Sequence, residues 1–201
     1  MSTWPSPLRL EGASCSLEPL SPHHHDGLVD AVRDGELWNL WYTKIPRPEG
    51  MREEIARRLD LQARGAMLPF TTRDVRGRVV GMTSYMNIDA TNRRVEIGST
   101  WTAASMQRSA FNTECKRLLL GHAFDALECI AVELRTHFVN HQSRRAIERL
   151  GAKLDGVLRS HMHSRDGTLR DTCVYSITRA EWPTIRSHLD WQLAKPRLVA
   201  A

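Results

Sequence analysis

Residues 101–114 have the sequence WTAASMQRSAFNTE, in which a predicted strand runs through small and polar residues into a predicted helix. The first turn of such a helix carries backbone N–H groups that have no partner within the helix. These N–H groups and the helix dipole together favour an anionic group such as phosphate. Arg108 adds a cation to the same loop. The stretch therefore predicts a phosphate site at a strand–helix junction, although an ordinary strand–helix turn has the same composition.

On either side of this junction, hydrophobic residues recur at every second position in some segments and at helical spacing in others. Alternation with period two predicts strands near 16–19, 68–74, 78–88, 93–101, 130–138, 152–163 and 169–177. Helical spacing and capping residues predict helices over about 22–33, 35–41, 48–64, 112–128, 140–150 and 180–193. This order describes an α/β (α+β) fold with a mixed central sheet of about seven strands and helices on both faces.

Individual side chains are assigned from the same patterns. Ser21 is the expected N-cap of the helix over 22–33, so the run of histidines at 23–25 is interpreted as its first turn and not as a metal site. Helical spacing places Glu114 on the polar face of the helix over 112–128, with Leu119 and Phe124 on the core face.

Composition and charge restrict the class of protein. The chain has 201 residues, 41% hydrophobic and 25% charged, which is typical of one globular domain. No apolar window is long enough to cross a bilayer, the start lacks a secretory signal, and the four cysteines lack metal-ligand spacing. We therefore expect a cytoplasmic protein without a metal or a membrane partner. The net charge of +5 favours an anionic small molecule at least as well as nucleic acid, which is not expected as a partner.

Three motifs together resemble a known family. They are Glu96-Ile97-Gly98, Gln107-Arg-Ser-Ala110-Phe-Asn112-Thr-Glu114, and Asn140-His-Gln-Ser143 followed by Leu150-Gly151-Ala152. The chain is similar to the GNAT superfamily of acetyl-CoA-dependent N-acyltransferases, and nearest to its ribosomal-protein N-terminal acetyltransferase branch. The resemblance covers about 8–180 and implies one GNAT domain over 1–201, with a core at about 8–180, a C-terminal helix at about 180–193 and an irregular tail after Pro196.

The resemblance implies that acetyl-CoA is the cosubstrate and lies in a V-shaped gap between the fourth and fifth predicted strands, 93–101 and 130–138. The residues implied to bind it are Trp101, Thr102, Ala103, Gln107, Arg108, Ser109, Ala110, Phe111, Asn112, Thr113, Asn140 and Ser143. The family loop reads Gln/Arg-x-x-Gly-x-Gly/Ala, so Ala110 and Asn112 depart from it, and each Cβ would crowd the pyrophosphate. Asn112 could instead cap the helix. Asn140 and Ser143 are also explained as an N-cap and a solvent-facing helical serine.

Acetyl transfer to an amine needs a proton acceptor and help for the departing thiolate. The resemblance and the strand position together assign the base to Glu96, acting through water. An exposed carboxylate paired with Arg94 is the alternative. The residue four positions after Ser143, a tyrosine in many members of the family, is Ile147 here. Ser143 is therefore the expected acid, with Tyr175 as an outside candidate.

The acceptor amine is expected to bind between the segment at about 35–60 and the loop joining the last two strands. Trp38, Trp41 and Tyr42 could line this pocket together with Glu96, and packing of an amphipathic helix explains the three rings equally well. The implied function is N-acetyl transfer by direct attack of a primary amine, from a protein N-terminus or a small molecule. A non-catalytic acyl-CoA-binding or regulatory protein is the alternative, and the oligomeric state, a homodimer included, stays open.

Overall fold

The fold is organised around one eight-stranded sheet, which the computed structural model describes within residues 4–195. The strands are β1 (Leu10–Glu11), β2 (Cys15–Pro19), β3 (Met67–Asp74), β4 (Val79–Asp89), β5 (Arg94–Thr102), β6 (Ala131–His137), β7 (Lys153–His163) and β8 (Leu169–Thr178). They lie in the order β1-β2-β3-β4-β5-β6-β8-β7. All seven predicted strands are confirmed. The additional β1 has two residues, too few to leave a periodic signal in the sequence. The tail after Pro196 lies outside the described residues.

Within the described residues, five α-helices cover the sheet: α1 (His25–Arg33), α2 (Met51–Ala63), α3 (Phe111–Gly121), α4 (His141–Arg149) and α5 (Trp182–Ala194). Ser21 caps the turn that leads into α1, as predicted, by accepting a hydrogen bond from the N–H of His23. The helix predicted over 35–41 is wrong, since only the single turn Leu37–Asn39 forms there. Gly35 and Glu36 have φ angles of +93° and +46°, and two successive left-handed residues cannot belong to an α-helix. No helix within residues 4–195 combines the length and the apolar character needed to cross a membrane.

The helix α3 buries two charged side chains, Glu114 and Lys116, of which the sequence pattern assigned Glu114 to solvent. The Glu114 carboxylate is buried and accepts hydrogen bonds from the N–H groups of Ala13 and Ser14, at 2.6 and 2.9 Å, so the prediction of a solvent-facing position is wrong. It fixes the loop between β1 and β2 to the helix. Lys116 is buried as well, and its Nζ donates to the Thr100 hydroxyl at 2.8 Å. This burial lowers the pKa of Lys116 to about 8.

The two faces of the sheet carry different helices. Tyr85 pairs with Ile97 across β4 and β5, and its hydroxyl donates to the Leu119 carbonyl of α3. Ser84 pairs with Gly98, and its hydroxyl accepts from Arg58 of α2. Successive residues of a strand point to opposite faces. Glu96 and Gly98 therefore point to the α2 face, and Ile97 points to the α3 face.

The strands β5 and β6 run parallel but pair over only three positions, Arg94 with Ala131, Val95 with Val132 and Glu96 with Glu133. Beyond Glu96 a β-bulge interrupts β5, since its register against β4 shifts between Met82 and Ser84. Ser99 in this bulge has a φ angle of +49°. The two strands part at this point, which confirms the predicted splay between the fourth and fifth strands of the sequence analysis.

Candidate active site

Glu96 lies at the apex of the gap, at the last position where β5 and β6 are paired. The residue is only 5% exposed. Asn87 donates from Nδ2 to Glu96 Oε2 at 2.6 Å, and the Arg135 Nε lies 3.5 Å from the same oxygen. A Cβ on Gly98 would come within 2.7 Å of Oε1, so this glycine leaves the space that the carboxylate occupies. Glu96 is therefore a buried carboxylate whose Oε2 is bound by Asn87 and Arg135, while its Oε1 is directed along β5 toward Gly98.

The environment of Glu96 makes its carboxylate more basic than an ordinary glutamate. Burial raises its pKa, and the charge of Arg135 and the Asn87 hydrogen bond oppose this shift only in part. The alternative of an exposed carboxylate paired with Arg94 is wrong. Arg94 instead donates to Glu133 at 2.6 Å, because the parallel neighbour β6 brings that carboxylate beside it. A base of this kind suits the removal of a proton from an amine.

The loop that follows β5 presents unpaired backbone donors. Among the described residues, no acceptor contacts the N–H groups of Arg108, Ser109 and Ala110, while the N–H of Phe111 donates to the Ser109 Oγ at 3.2 Å. Arg108 has a φ angle of +58°, and its side chain is exposed. Free N–H groups beside an exposed cation form a surface that binds phosphate.

The two departures from the family loop cause no backbone strain. Ala110 has a φ angle of −67° and precedes the first residue of α3, so its conformation accommodates a Cβ as readily as glycine would. Asn112 lies inside the helix, and α3 has no side-chain cap, so the expectation that Asn112 caps the helix is wrong. Ser109 fills that need from outside the helix, by accepting from the Phe111 N–H.

The remaining residues implied to bind the cofactor divide into two groups. Four have buried side chains: Trp101, Ala103, Phe111 and Thr113. The Ala103 N–H is also taken, by the Val80 carbonyl. Gln107 instead bridges the gap, because its Nε2 donates to the Thr102 carbonyl at 3.0 Å and its Oε1 accepts from Gln142 at 3.2 Å. Gln142 was not predicted, and only its position within the Asn-His-Gln-Ser motif could have indicated it.

The first turn of α4 forms the other wall of the gap. Asn140 caps this helix, because its Oδ1 accepts from the Ser143 N–H at 3.0 Å. The Ser143 hydroxyl makes no hydrogen bond to a described residue and is partly buried. The Tyr175 hydroxyl, by contrast, donates to Glu148 at 2.7 Å and accepts from Arg144 at 3.1 Å. Ile147 is buried in the core. Ser143 is thus the available hydroxyl of these candidates.

Two of the three aromatic residues proposed for the acceptor reach the mouth of the gap. The Trp41 ring is 52% exposed and meets the rings of Tyr42 and His137 edge to face, with centroids 5.7 and 5.4 Å away. Trp38 packs against the hydrophobic core instead. Arg165, in the turn between β7 and β8, donates to the Ile45 carbonyl at 3.3 Å. This contact joins the hairpin to the segment that contains Ile45, and the acceptor pocket between them stays a prediction.

His137 is a second residue that the sequence analysis did not identify as part of the site. It ends β6, is 5% exposed, and its Nδ1 accepts from the Val139 N–H at 3.2 Å. The ring proton therefore lies on Nε2, which is buried and has no partner among the described residues. Burial lowers the pKa of His137, and the charge of Arg170 lowers it further, so the ring is neutral at pH 7. Alternation placed His137 with Glu133 and Arg135 but gave no sign of this burial.

Within residues 4–195, no cluster of His, Cys, Asp and Glu side chains is arranged to hold a metal ion. The cysteines Cys15, Cys115, Cys129 and Cys173 are all buried free thiols.

Comparison with known proteins identifies the family. A model of the GNAT acetyltransferase domain matches residues 15–153. The "Putative ribosomal N-acetyltransferase YdaF" of Bacillus subtilis (strain 168) is 33% identical over 106 residues, which are 53% of this chain and 57% of that protein. The match thus spans little more than half of that relative.

Solved structures agree over nearly the full chain. A crystal structure of a GCN5-related N-acetyltransferase from Brucella melitensis has a TM-score of 0.82 and 31% identity, covering 94% of this chain and 87% of that one. A putative acetyltransferase from T. thermophilus has a TM-score of 0.82 and 30% identity, covering 94% and 99%. These matches confirm the resemblance noted from the motifs. The protein is a member of the GNAT family of acetyltransferases.

Proposed function

We propose that the protein moves the acetyl group of acetyl-CoA to a primary amine, of a protein N-terminus or a small molecule, by direct attack in a ternary complex. The observation that carries this proposal is the parting of β5 and β6 at a buried carboxylate, with free amides on the loop beyond. We propose further that residues 1–201 form one catalytic domain. The ribosomal function in the name of YdaF supports a protein N-terminus among the acceptors and a cytoplasmic location.

The residues around the gap fit acetyl-CoA. The free N–H groups at 108–110 and the Arg108 side chain suit its pyrophosphate. The edge of β5 beyond Glu96, which is not paired with β6, suits the amides of its pantetheine arm. We assign direct contacts to Thr102, Gln107, Arg108, Ser109, Ala110, Asn112, Asn140 and Ser143, and support from the core to Trp101, Ala103, Phe111 and Thr113. Acetyl-CoA supplies the activated acetyl group.

The acceptor enters from the α2 face in this proposal. Glu96 points to that face, and Glu133, Arg135 and His137 of β6 follow it with a period of two. Trp41 and Tyr42 cover His137 on the same side. Glu96 accepts the proton of the amine through water. Near pH 7.4 about a quarter of an α-amine is neutral, against about 0.1% of a lysine amine, so an α-amine asks less of this base.

Arg108→Glu is expected to weaken CoA binding by about tenfold or more, because a charge-assisted contact with phosphate becomes a repulsion. Arg145→Glu is a matched control, since Arg145 is also exposed but lies outside the loop, on α4. Isothermal titration calorimetry measures both affinities. Equal affinities of the two variants for CoA would remove Arg108 from the pyrophosphate site.

Ser143→Ala is expected to slow the chemical step by about tenfold to a hundredfold while acetyl-CoA still binds. The reason is that the unpaired hydroxyl would donate a hydrogen bond to the departing thiolate, worth about 1–3 kcal/mol. The Asn140 cap uses only the backbone N–H of Ser143, so the helix keeps its first turn. Single-turnover kinetics with pre-bound acetyl-CoA measure the step. A parental rate in this variant would assign the role to water or to no acid.

The alternative is a protein that binds acyl-CoA without transferring the acyl group, and the buried Ile147 favours it because a tyrosine is missing there. Release of free CoA thiol in the presence of a panel of amines distinguishes the two. Binding of acetyl-CoA with no amine-dependent release would support the non-catalytic protein.

A further inference from the structure

Two polar groups at the open end of β6 and β8 lack the partners that their burial requires. The first is the Nε2–H donor of His137, which is buried without an acceptor among the described residues. An unsatisfied buried donor costs about 1–3 kcal/mol, so such groups in native proteins normally meet a ligand or water.

The second group is the guanidinium of Arg170, which is partly buried. Its Nε donates to the Thr172 hydroxyl at 3.1 Å, and no carboxylate of a described residue lies within salt-bridge distance. Other arginines that are buried or partly buried do have such a carboxylate: Arg58, Arg73, Arg94, Arg117, Arg135 and Arg186. Arg144 is bound by Tyr175 instead. The terminal nitrogens of Arg170 are therefore available to an anion.

The strand register places these two groups together. His137 pairs with Thr172, and Arg170 lies two residues before Thr172, on the same face of β8. This is the face of Glu96. The Arg170 charge acts on both neighbours, since it lowers the pKa of His137 and opposes the rise in the pKa of Glu96.

Glu96 acts on Arg170 through its charge but does not lie within salt-bridge distance of it, and the other nearby acidic side chains are bound elsewhere. Asp171 accepts from Arg159 and from the Ser160 N–H, at 2.7 and 2.8 Å. Asp166 accepts from Thr168 in its own turn. Two further cations lie on the surrounding segments without a carboxylate partner among the described residues, Arg165 at the hairpin and the exposed Lys44.

We propose that His137 and Arg170 form a carboxylate-binding subsite for the acceptor, so that the preferred acceptor is an amine with a carboxylate close to it. The inference rests on the proposed function and specifies its substrate class. The carboxylate would accept from the His137 Nε2–H and from the Arg170 guanidinium while the amine faces Glu96. The same chemistry occurs in a free amino acid and in a peptide whose first residue is acidic.

The test compares matched acceptors that differ in one carboxylate, with CoA thiol release as the readout. One arm uses the tripeptides Asp-Ala-Ala-amide and Asn-Ala-Ala-amide, and the other uses alanine and alaninamide. In one of the two arms, we expect kcat/KM to be about tenfold or more higher for the acceptor that carries the additional carboxylate. The arm that shows this preference identifies whether the acceptor is a peptide or a free amino acid. Equal kcat/KM values within both arms would overturn the subsite.

Variants assign the preference to the two residues. Arg170→Gln is expected to bring the preference close to one, whereas Arg76→Gln, an exposed arginine in the turn between β3 and β4, keeps it. His137→Phe retains a ring beside Trp41 but removes the donor, and should raise KM for the favoured acceptor about tenfold without changing KM for acetyl-CoA. An Arg170→Gln enzyme with the full parental preference would exclude Arg170.

Product binding separates this proposal from the proposed function. Calorimetry of N-acetyl-Asp-Ala-Ala-amide and N-acetyl-Asn-Ala-Ala-amide, with CoA present, measures the subsite without turnover. The acidic product could bind more tightly in a manner that depends on Arg170 while no amine causes CoA release. This result would support the subsite and reject the transferase function. Efficient transfer with no preference, in turnover or in product binding, would retain the transferase and reject the subsite.

Discussion

Replacing Glu96 with glutamine is expected to lower kcat/KM about a hundredfold or more while the affinity for CoA stays at its parental value. Glutamine keeps the shape of the side chain and removes the proton acceptor, and general-base catalysis contributes about 10²–10⁴ in rate. Steady-state kinetics across the pH range, with calorimetry of CoA binding, measure both quantities.

The rates of the parent and of the Glu96→Gln variant should depend differently on pH. The carboxylate accepts a proton only when it is ionised, so the parental rate should fall as the pH drops through the pKa of Glu96, which burial raises. The pH–rate profile of the variant should lack this fall at low pH. The rate of the variant relative to the parent should be lowest near the lower end of the pH range in which Glu96 is ionised, because the amine is mostly protonated there. A pH–rate profile that overlays the parental one would make Glu96 structural.

A neighbouring carboxylate serves as the control. Glu133 pairs with Glu96 across the two strands, but Arg94 and Arg135 both bind it. Glu133→Gln is expected to lower the rate less than tenfold. Since folding favours the neutral form of Glu96, Glu96→Gln should not lower the thermal unfolding midpoint, which shows that its effect is on chemistry.

The second large effect is expected from Arg58→Met, which should lower the free energy of unfolding by about 3 kcal/mol or more. Arg58 is fully buried in α2, where its Nε donates to Glu54 at 2.6 Å and its terminal nitrogens donate to the Ser99 carbonyl at 3.2 Å. Removing the guanidinium leaves that carbonyl and the Ser84 hydroxyl without their donor. For a chain of this length the unfolding midpoint should fall by about 6–12 °C in calorimetry.

Arg57→Met provides a matched control one residue away. Arg57 also binds Glu54, at 2.8 and 2.9 Å, but it is exposed to solvent. Its loss is expected to cost less than about 1 kcal/mol. Arg58→Met should in addition raise KM for acetyl-CoA, because the Ser99 carbonyl belongs to the bulge where β5 leaves β6. Equal losses of stability in the two variants would contradict the role of Arg58.

Much of the candidate site followed from local patterns. The strand–loop–helix order at 101–114 and the N-cap at Asn140 were predictable because each depends on residues close in sequence, whereas the parting of β5 and β6 was implied by the resemblance to the family. Hydrophobic periodicity likewise placed the strands within a residue or two of their observed bounds. Recognition of the family then required only three short motifs and their spacing.

Whether a polar side chain is buried or exposed was not predictable in the same way. Glu114 was assigned to the surface, and for Glu96 an exposed position was one of two interpretations. Both are buried, because segments about a hundred residues away or on a neighbouring strand fold over them. The composition of residues 35–41 favoured a helix, but the left-handed conformations of Gly35 and Glu36 prevent an α-helix there.

The sequence by itself therefore determined the order of the elements, since local periodicity and capping reflect interactions between near neighbours, and its motifs indicated the family. Only the tertiary structure decided which polar groups share the gap. It freed the Ser143 hydroxyl, engaged Tyr175 with Glu148, and brought Trp41 onto His137. The physical reason is that periodicity indicates which face of an element a side chain occupies, while burial and pairing of that face depend on contacts made across the sheet.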